Sequence, residues 1–208
     1  MNEIKQVDKM HYDFGRYMTK RRWASVWHQL DEVIRLNPSN VLEIGPGIGV
    51  FKHVASLTGL TVETLDLDPK LKPDFVGSAT ALPFEDSHYD VVCAFQMLEH
   101  LPYESALLAF EEMVRVSRRH VVISLPDARA TWQYSFHVPK LGTRSLLFPR
   151  PTLKQTEHVF DGEHYWELNK KGYDLNRVIR DLSRLCLLIK TYLVFENPYH
   201  RFFVFKRC

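Results

Sequence analysis

The sequence predicts an α/β fold: a mostly parallel sheet of seven strands, finished by an antiparallel terminal hairpin, with helices on both faces. Three observations predict it. A strand-like run, Val41-Leu42-Glu43-Ile44, enters Gly45-Pro46-Gly47-Ile48-Gly49 and continues into an apolar helix start. Further short β-forming runs are then interleaved with helical patterns as far as Leu125, the order of successive βα units. Beyond residue 185, two strand-like runs are separated only by Glu196-Asn197-Pro198-Tyr199, and so short a connection joins antiparallel neighbours.

Trp23, Val26, Trp27, Leu30, Val33 and Ile34 recur at three- and four-residue steps, the period of an amphipathic helix ending near Asn37-Pro38. Asn40 to Ile44 is the first strand. Val50 to Leu57 is a helix stopped by Gly59, which tolerates the left-handed cap conformation. Strands follow near residues 61–66, 74–77 and 89–95. Glu104 to Arg118 is a helix with Ala106, Phe110, Met113 and Val114 on one face. His120 to Leu125 is almost continuously apolar, as a strand covered on both faces should be. Asp174 is placed to cap a helix running to about Leu185, with Tyr173 and Val178 as its hydrophobic staple. Leu187 to Phe195 and Arg201 to Phe205 are the terminal strands. The stretch 128–170 reads as one long irregular segment.

Composition narrows the function classes. At 208 residues the chain is most simply one domain with a substantial core. A formal charge of +2 creates no bulk demand for nucleic acid or a membrane surface. Cys93, Cys186 and Cys208 are scattered, without metal or redox spacing. The N-terminal residues lack the apolar stretch of a signal peptide and no window has the length of a membrane span, so a cytoplasmic location is expected.

The glycine loop carries the functional signal. Glycines at alternate positions let backbone approach a ligand that a Cβ would block. A dinucleotide fingerprint needs its third glycine at position 50, which is Val50. Thr61 to Asp66 is a strand ending in an acid, 21 residues after Gly45, where a carboxylate can accept hydrogen bonds from the two hydroxyls of an adenosine ribose. With Glu43 before the first glycine, the loop resembles motif I of the class I S-adenosylmethionine-dependent methyltransferases, type 11-like members in particular. Leu67-Asp68-Pro69 resembles the turn that follows the ribose acid in that family. Gly77-Ser78-Ala79-Thr80-Ala81-Leu82-Pro83-Phe84 resembles its adenine-contacting segment, with Ser78 in place of the usual Asp. Tyr89 to Leu101 resembles its fourth strand and active-site loop.

The resemblance covers residues from about 38 to 208 and implies a division of the chain. Residues 1–37 would be an N-terminal helical lid, 38–127 the cofactor-binding half, 128–170 a substrate-lid insertion, and 171–208 the terminal helix and hairpin. It implies S-adenosylmethionine as cofactor and S-adenosylhomocysteine as product. The cofactor-binding set would be Glu43, Gly45, Gly47, Gly49, Asp66, Leu67, Ser78, Ala79, Phe95 and Gln96. The acceptor would be a small molecule, since no RNA-binding appendage or base-stacking motif is present.

Between Ala128 and Thr156 lie Arg129, Lys140, Arg144, Arg150 and Lys154 and no acid. This segment is either a solvated basic loop packed by its aromatics or a lid favouring an anionic or aromatic acceptor. Tyr12, Arg16 and Tyr17 would help to close it. His100 follows the fourth strand, where acceptor and cofactor meet in the resembling family, and is the first candidate for a general base; His164 is the second. Each has a structural alternative, with Glu99-His100 as a plain helix-start pair. Gln96-Met97-Leu98-Glu99-His100 also resembles the E-x-x-E-H of metal-assisted methyltransferases, but Gln96 replaces the first acid, so no metal is assigned. A binding module that keeps the cofactor without turnover is the third reading.

Overall fold

The computed structural model describes residues 18–151 and 155–208. The expected lid residues Tyr12, Arg16 and Tyr17, and Lys154, lie outside these. Helix α1 spans Lys20–Arg35, β1 Asn40–Ile44, α2 Val50–Leu57, β2 Thr61–Asp66, β3 Phe75–Val76 and β4 Tyr89–Phe95. Helix α3 spans Tyr103–Val116, β5 Ser117–Pro126, β6 Thr131–Val138, β7 Gly142–Pro149, α4 Leu175–Leu182, β8 Cys186–Leu193 and β9 His200–Arg207.

Seven strands form one sheet in the order β3-β2-β1-β4-β5-β9-β8. Strands β1 to β5 pair in parallel, and β9 pairs antiparallel with both β5 and β8. This is the expected class, seven strands with an antiparallel end. Strand alternation divides the core in two. Leu42, Ile44, Val92, Ala94, Val121 and Ile123 face the side covered by α3 and α4, where Phe110, Met113, Val178 and Leu182 are buried. Val41, Val62, Val91, Cys93, Val122 and Val204 face the side covered by α1 and α2, where Val33, Phe51 and Ala55 are buried.

The caps explain where several helices begin. The Asp174 carboxylate accepts the Arg177 N–H, as its position predicts, and Thr19 does the same for Arg22 at the start of α1. Two expectations need correction. Within the predicted apolar stripe of α1, Val26 and Val33 are buried, whereas Trp23, Trp27 and Ile34 are exposed. The 128–170 stretch is not irregular throughout, since β6 and β7 pair antiparallel from Thr131↔Pro149 to Val138↔Gly142. Among the described residues, no helix is long and apolar enough to cross a membrane.

Candidate active site

The strand order reverses between β1 and β4, which opens a crevice at the carboxyl ends of the parallel strands. The glycine loop occupies that edge. Gly45, Gly47 and Gly49 all have positive φ, at 68°, 55° and 73°. The Gly45 N–H donates to the Leu65 carbonyl at 2.9 Å, tying the loop to the end of β2. A Cβ on Gly45 would lie 2.5 Å from Met97 Cγ, so only glycine lets the loop meet the segment after β4. Gly49 is different: nothing among the described residues lies within 4 Å of its Cβ position. It caps α2 without a side-chain bond, which leaves the helix N-terminus facing the loop.

Glu43 is buried at the end of β1, and its Oε2 has no hydrogen-bond partner among the described residues. Burial pushes its pKa up to about 8; the Lys52 N–H and ammonium pull it down, and Asp66 adds to the rise. At the end of β2, Asp66 is half-buried and its Oδ1 accepts the Asp68 N–H at 2.9 Å. Leu67 is exposed beside it. The Gly77 N–H donates to the Asp66 carbonyl at 3.0 Å, bringing Ser78 and the buried Ala79 to the same edge. Ser78 Oγ is engaged locally, accepting the Thr80 N–H and lying 2.8 Å from Thr80 Oγ1.

Phe95 belongs to the core: its ring packs 5.3 Å from Phe51 and 6.0 Å from Phe202, so only its backbone is placed to meet a ligand. Gln96 turns the chain with φ +54°, and its amide reaches Ser124 Oγ at 3.2 Å. Leu98–His100 is a 3-10 turn, not the start of α3.

The two candidate bases come together, 5.0 Å apart between ring centroids. Residues 163–166 are laced to the turn after β4. Tyr165 N–H donates to the Glu99 carbonyl at 2.8 Å, and Trp166 Nε1–H to the Leu101 carbonyl at 3.1 Å. His100 Nδ1 lies 2.9 Å from the Glu163 carbonyl, which can only accept, so Nδ1 carries a proton. His164 Nδ1 lies 3.1 Å from Glu167 Oε1, and Tyr199 OH donates to the same oxygen. Burial opposes charge on His164, but Glu167, Glu99 and Asp161 outweigh it and raise its pKa.

The sequence underrated Glu99. Its side chain is wholly buried, neither oxygen has a hydrogen-bond partner among the described residues, and burial pushes its pKa up to about 7 against the pull of His164. One ligand atom each from Glu99, His100 and His164 lie within 4.8 Å of one another. Glu167 and Tyr199 were also missed; the bond between them joins positions 32 residues apart, for which single-chain spacing gives no signal. His200, at the start of β9, is buried, and burial first, then Arg22 and His164, push its pKa down to about 3.

The sequence profile of a family described as a methyltransferase domain matches residues 14–175. Among solved structures, the chain is similar to the PH0226 protein of Pyrococcus horikoshii OT3, with TM-score 0.64, 13% identity, and 97% of this chain and 100% of that one covered. It is also similar to the magnesium protoporphyrin IX methyltransferase of Synechocystis PCC 6803, solved with bound S-adenosylmethionine. There the TM-score is 0.57, identity 17%, and coverage 99% and 86%. A third is the N-methyltransferase NodS of Bradyrhizobium japonicum WM9, in complex with S-adenosylhomocysteine, at TM-score 0.54, 11% identity and 86% coverage of both chains. Among curated proteins, none matches the sequence.

Proposed function

The chain belongs to the methyltransferase domain family, and from that premise we propose that it moves a methyl group from S-adenosylmethionine to a small-molecule acceptor, giving S-adenosylhomocysteine. The observation that carries this reading is the meeting at one strand edge of the glycine loop, Asp66 and the buried Glu43 carboxylate, whose Oε2 has no hydrogen-bond partner among the described residues. These residues fit the cofactor. Gly45, Gly47 and Gly49 form a cradle without side chains, and the α2 N-terminus suits a carboxylate. Asp66 suits the ribose hydroxyls. Glu43, whose burial holds its proton up to about pH 8, would release that proton and become a buried negative charge when a ligand carrying a sulfonium and an ammonium group binds beside it. Leu67, Ser78 and Ala79 would flank the adenine, while Phe95 and Gln96 would contribute backbone.

When bound, the cofactor supplies a methyl group already activated by a positively charged sulfur. The chain's remaining tasks are alignment and exclusion of water, for which effective molarity offers about 7–11 kcal/mol. His100 Nε2 would accept the proton of an acceptor hydroxyl or amine, with Glu163 holding the ring in the required tautomer. His164, whose neighbours favour its cation, is better suited to attract an anionic group than to act as base.

The Asp66→Ala variant tests the cofactor assignment. Loss of hydrogen bonds to a charged acceptor should weaken S-adenosylhomocysteine binding by about 1.5–3 kcal/mol. Unchanged affinity by calorimetry would overturn it. Release of S-adenosylhomocysteine from metabolite pools supplied with S-adenosylmethionine would identify the acceptor class. Tight cofactor binding with no release from any pool would favour a binding module.

A second reading is metal-assisted methylation. It is favoured by Glu99, His100 and His164, whose ligand atoms lie close together and of which Glu99 has no hydrogen-bond partner for its carboxylate among the described residues. Each histidine Nδ1 faces an oxygen, the arrangement that directs Nε2 towards a metal. Activity abolished by a chelator and restored by Mg²⁺, Mn²⁺ or Zn²⁺ would select this reading; activity indifferent to chelation would leave His100 as the base.

A further inference from the structure

The β6–β7 hairpin contributes to neither core cluster. Its alternation places Trp132, Tyr134 and Phe136 on one face. The register sets Phe148 opposite Trp132, Leu146 opposite Tyr134 and Arg144 opposite Phe136. Trp132, Tyr134, Phe136, Leu146 and Phe148 are between 44% and 53% exposed. The other face is mostly polar, and there the Gln133 amide donates to the Phe195 carbonyl in the turn before β9. The polar face is thus the one tied to the body of the protein.

Charge accompanies the aromatic face. Arg144 lies within it, and the Arg150 guanidinium sits 5.8 Å from the Trp132 ring centroid. Arg129 precedes the hairpin, Lys140 is in its tip, and residues 128–150 contain no Asp or Glu. Rings with polar edges and long cationic stems are the side chains that settle at a lipid headgroup boundary.

We infer that this hairpin docks the protein on an anionic lipid surface, its aromatic face in the headgroup region and its arginines on lipid phosphates. Charge complementarity selects this occupant. A second copy bringing the same face would oppose arginine to arginine with no acid in either hairpin to compensate. The overall charge of +2 hides the feature, because Arg129, Lys140, Arg144 and Arg150 stand together with no acid between residues 128 and 150. The inference is independent of methyl transfer, since docking needs neither cofactor nor acceptor.

Flotation of the full chain with phosphatidylcholine vesicles containing a third phosphatidylserine tests it, against vesicles of phosphatidylcholine alone. Binding should favour the anionic vesicles and fall as salt rises. Arg144→Gln and Arg150→Gln should each weaken it roughly fivefold. The pair Tyr134→Ser, Phe136→Ser should abolish it, with circular dichroism reporting an intact fold. Trp132→Phe should keep binding but remove a blue shift in tryptophan emission on vesicle addition. Absence of binding to anionic vesicles would overturn the inference. So would equal binding to both vesicle types, a concentration-dependent dimer lost in the Tyr134→Ser, Phe136→Ser chain, or preferential capture of single-stranded oligonucleotides.

Discussion

Glu43, proposed to face the cofactor, carries a cost in stability. Its carboxyl has a pKa of about 8 in the folded protein and 4.5 as its ordinary value. Over that window the folded chain holds a proton that the unfolded chain has lost, so Glu43 lowers stability as pH rises, by about 1.4 kcal/mol per pH unit. Buried neutral His200, whose pKa is depressed from 6.5 to about 3, acts in the opposite direction only below pH 6.5. The interval from pH 7 to 8 therefore isolates Glu43 from His200. Glu43→Gln should flatten the fall in urea midpoint over that interval, and an unchanged slope would refute the assignment. A cationic ligand placed beside the carboxylate should also drive its proton off. Calorimetric heats of S-adenosylmethionine binding near pH 7.5 should then depend on the ionisation enthalpy of the buffer in the wild type and not in Glu43→Gln. The glycines separate by the same reasoning. Gly49→Ala meets open space and should cost about 1–2 kcal/mol for its left-handed backbone. Gly45→Ala adds overlap with Met97 and should cost about 2–5 kcal/mol in denaturant titrations.

The elements that place the chemistry were legible to different degrees. Strands β1, β2 and β4 and helix α2 were readable to the residue, because each is short, apolar and bounded by glycine or an acid. β6 was missed although Trp132, Tyr134, Phe136 and Val138 alternate strictly. Alternation implies a buried face, and here the apolar face is exposed. Segment 163–169 has no periodicity to read. Its shape comes from lacing onto distant backbone, through Glu99, Leu101 and Pro126, and from Asp127, which binds Asn169 Nδ2 and Arg201 Nε at 2.7 Å each. That lacing makes the His100–His164 pair a property of two elements together. His100→Ala should lower kcat, leave S-adenosylhomocysteine affinity nearly unchanged and remove one limb of the pH–rate profile. A variant with wild-type kcat would eliminate the base and leave alignment as the main catalytic contribution.

At the scale of the whole molecule, the sequence forecast the sheet and its terminal pair, because parallel strands and their helices announce themselves by period and punctuation. The edge proposed for the cofactor could be drawn from the sequence for the same reason: its residues lie at strand ends. The convergence of Glu99, His100, His164 and Glu167 was not, since it depends on a chain reversal after β5 that no local pattern encodes. The hairpin makes the separation of parts testable. Residues 131–149 contribute nothing to either buried cluster, and the Arg150 N–H donates to the Ala130 carbonyl at 2.9 Å, so the hairpin leaves and re-enters the body at one point. Replacing 131–149 by a Gly-Ser pair closes a gap the fold already holds closed, and shortening a loop changes closure entropy only slowly with length. The shortened chain should unfold cooperatively in urea with stability within about 1 kcal/mol of the intact protein. It should bind S-adenosylhomocysteine as before and lose its attachment to anionic vesicles. A shortened chain that fails to fold, or that loses cofactor binding along with vesicle binding, would make the hairpin part of the catalytic body instead of an appended docking element.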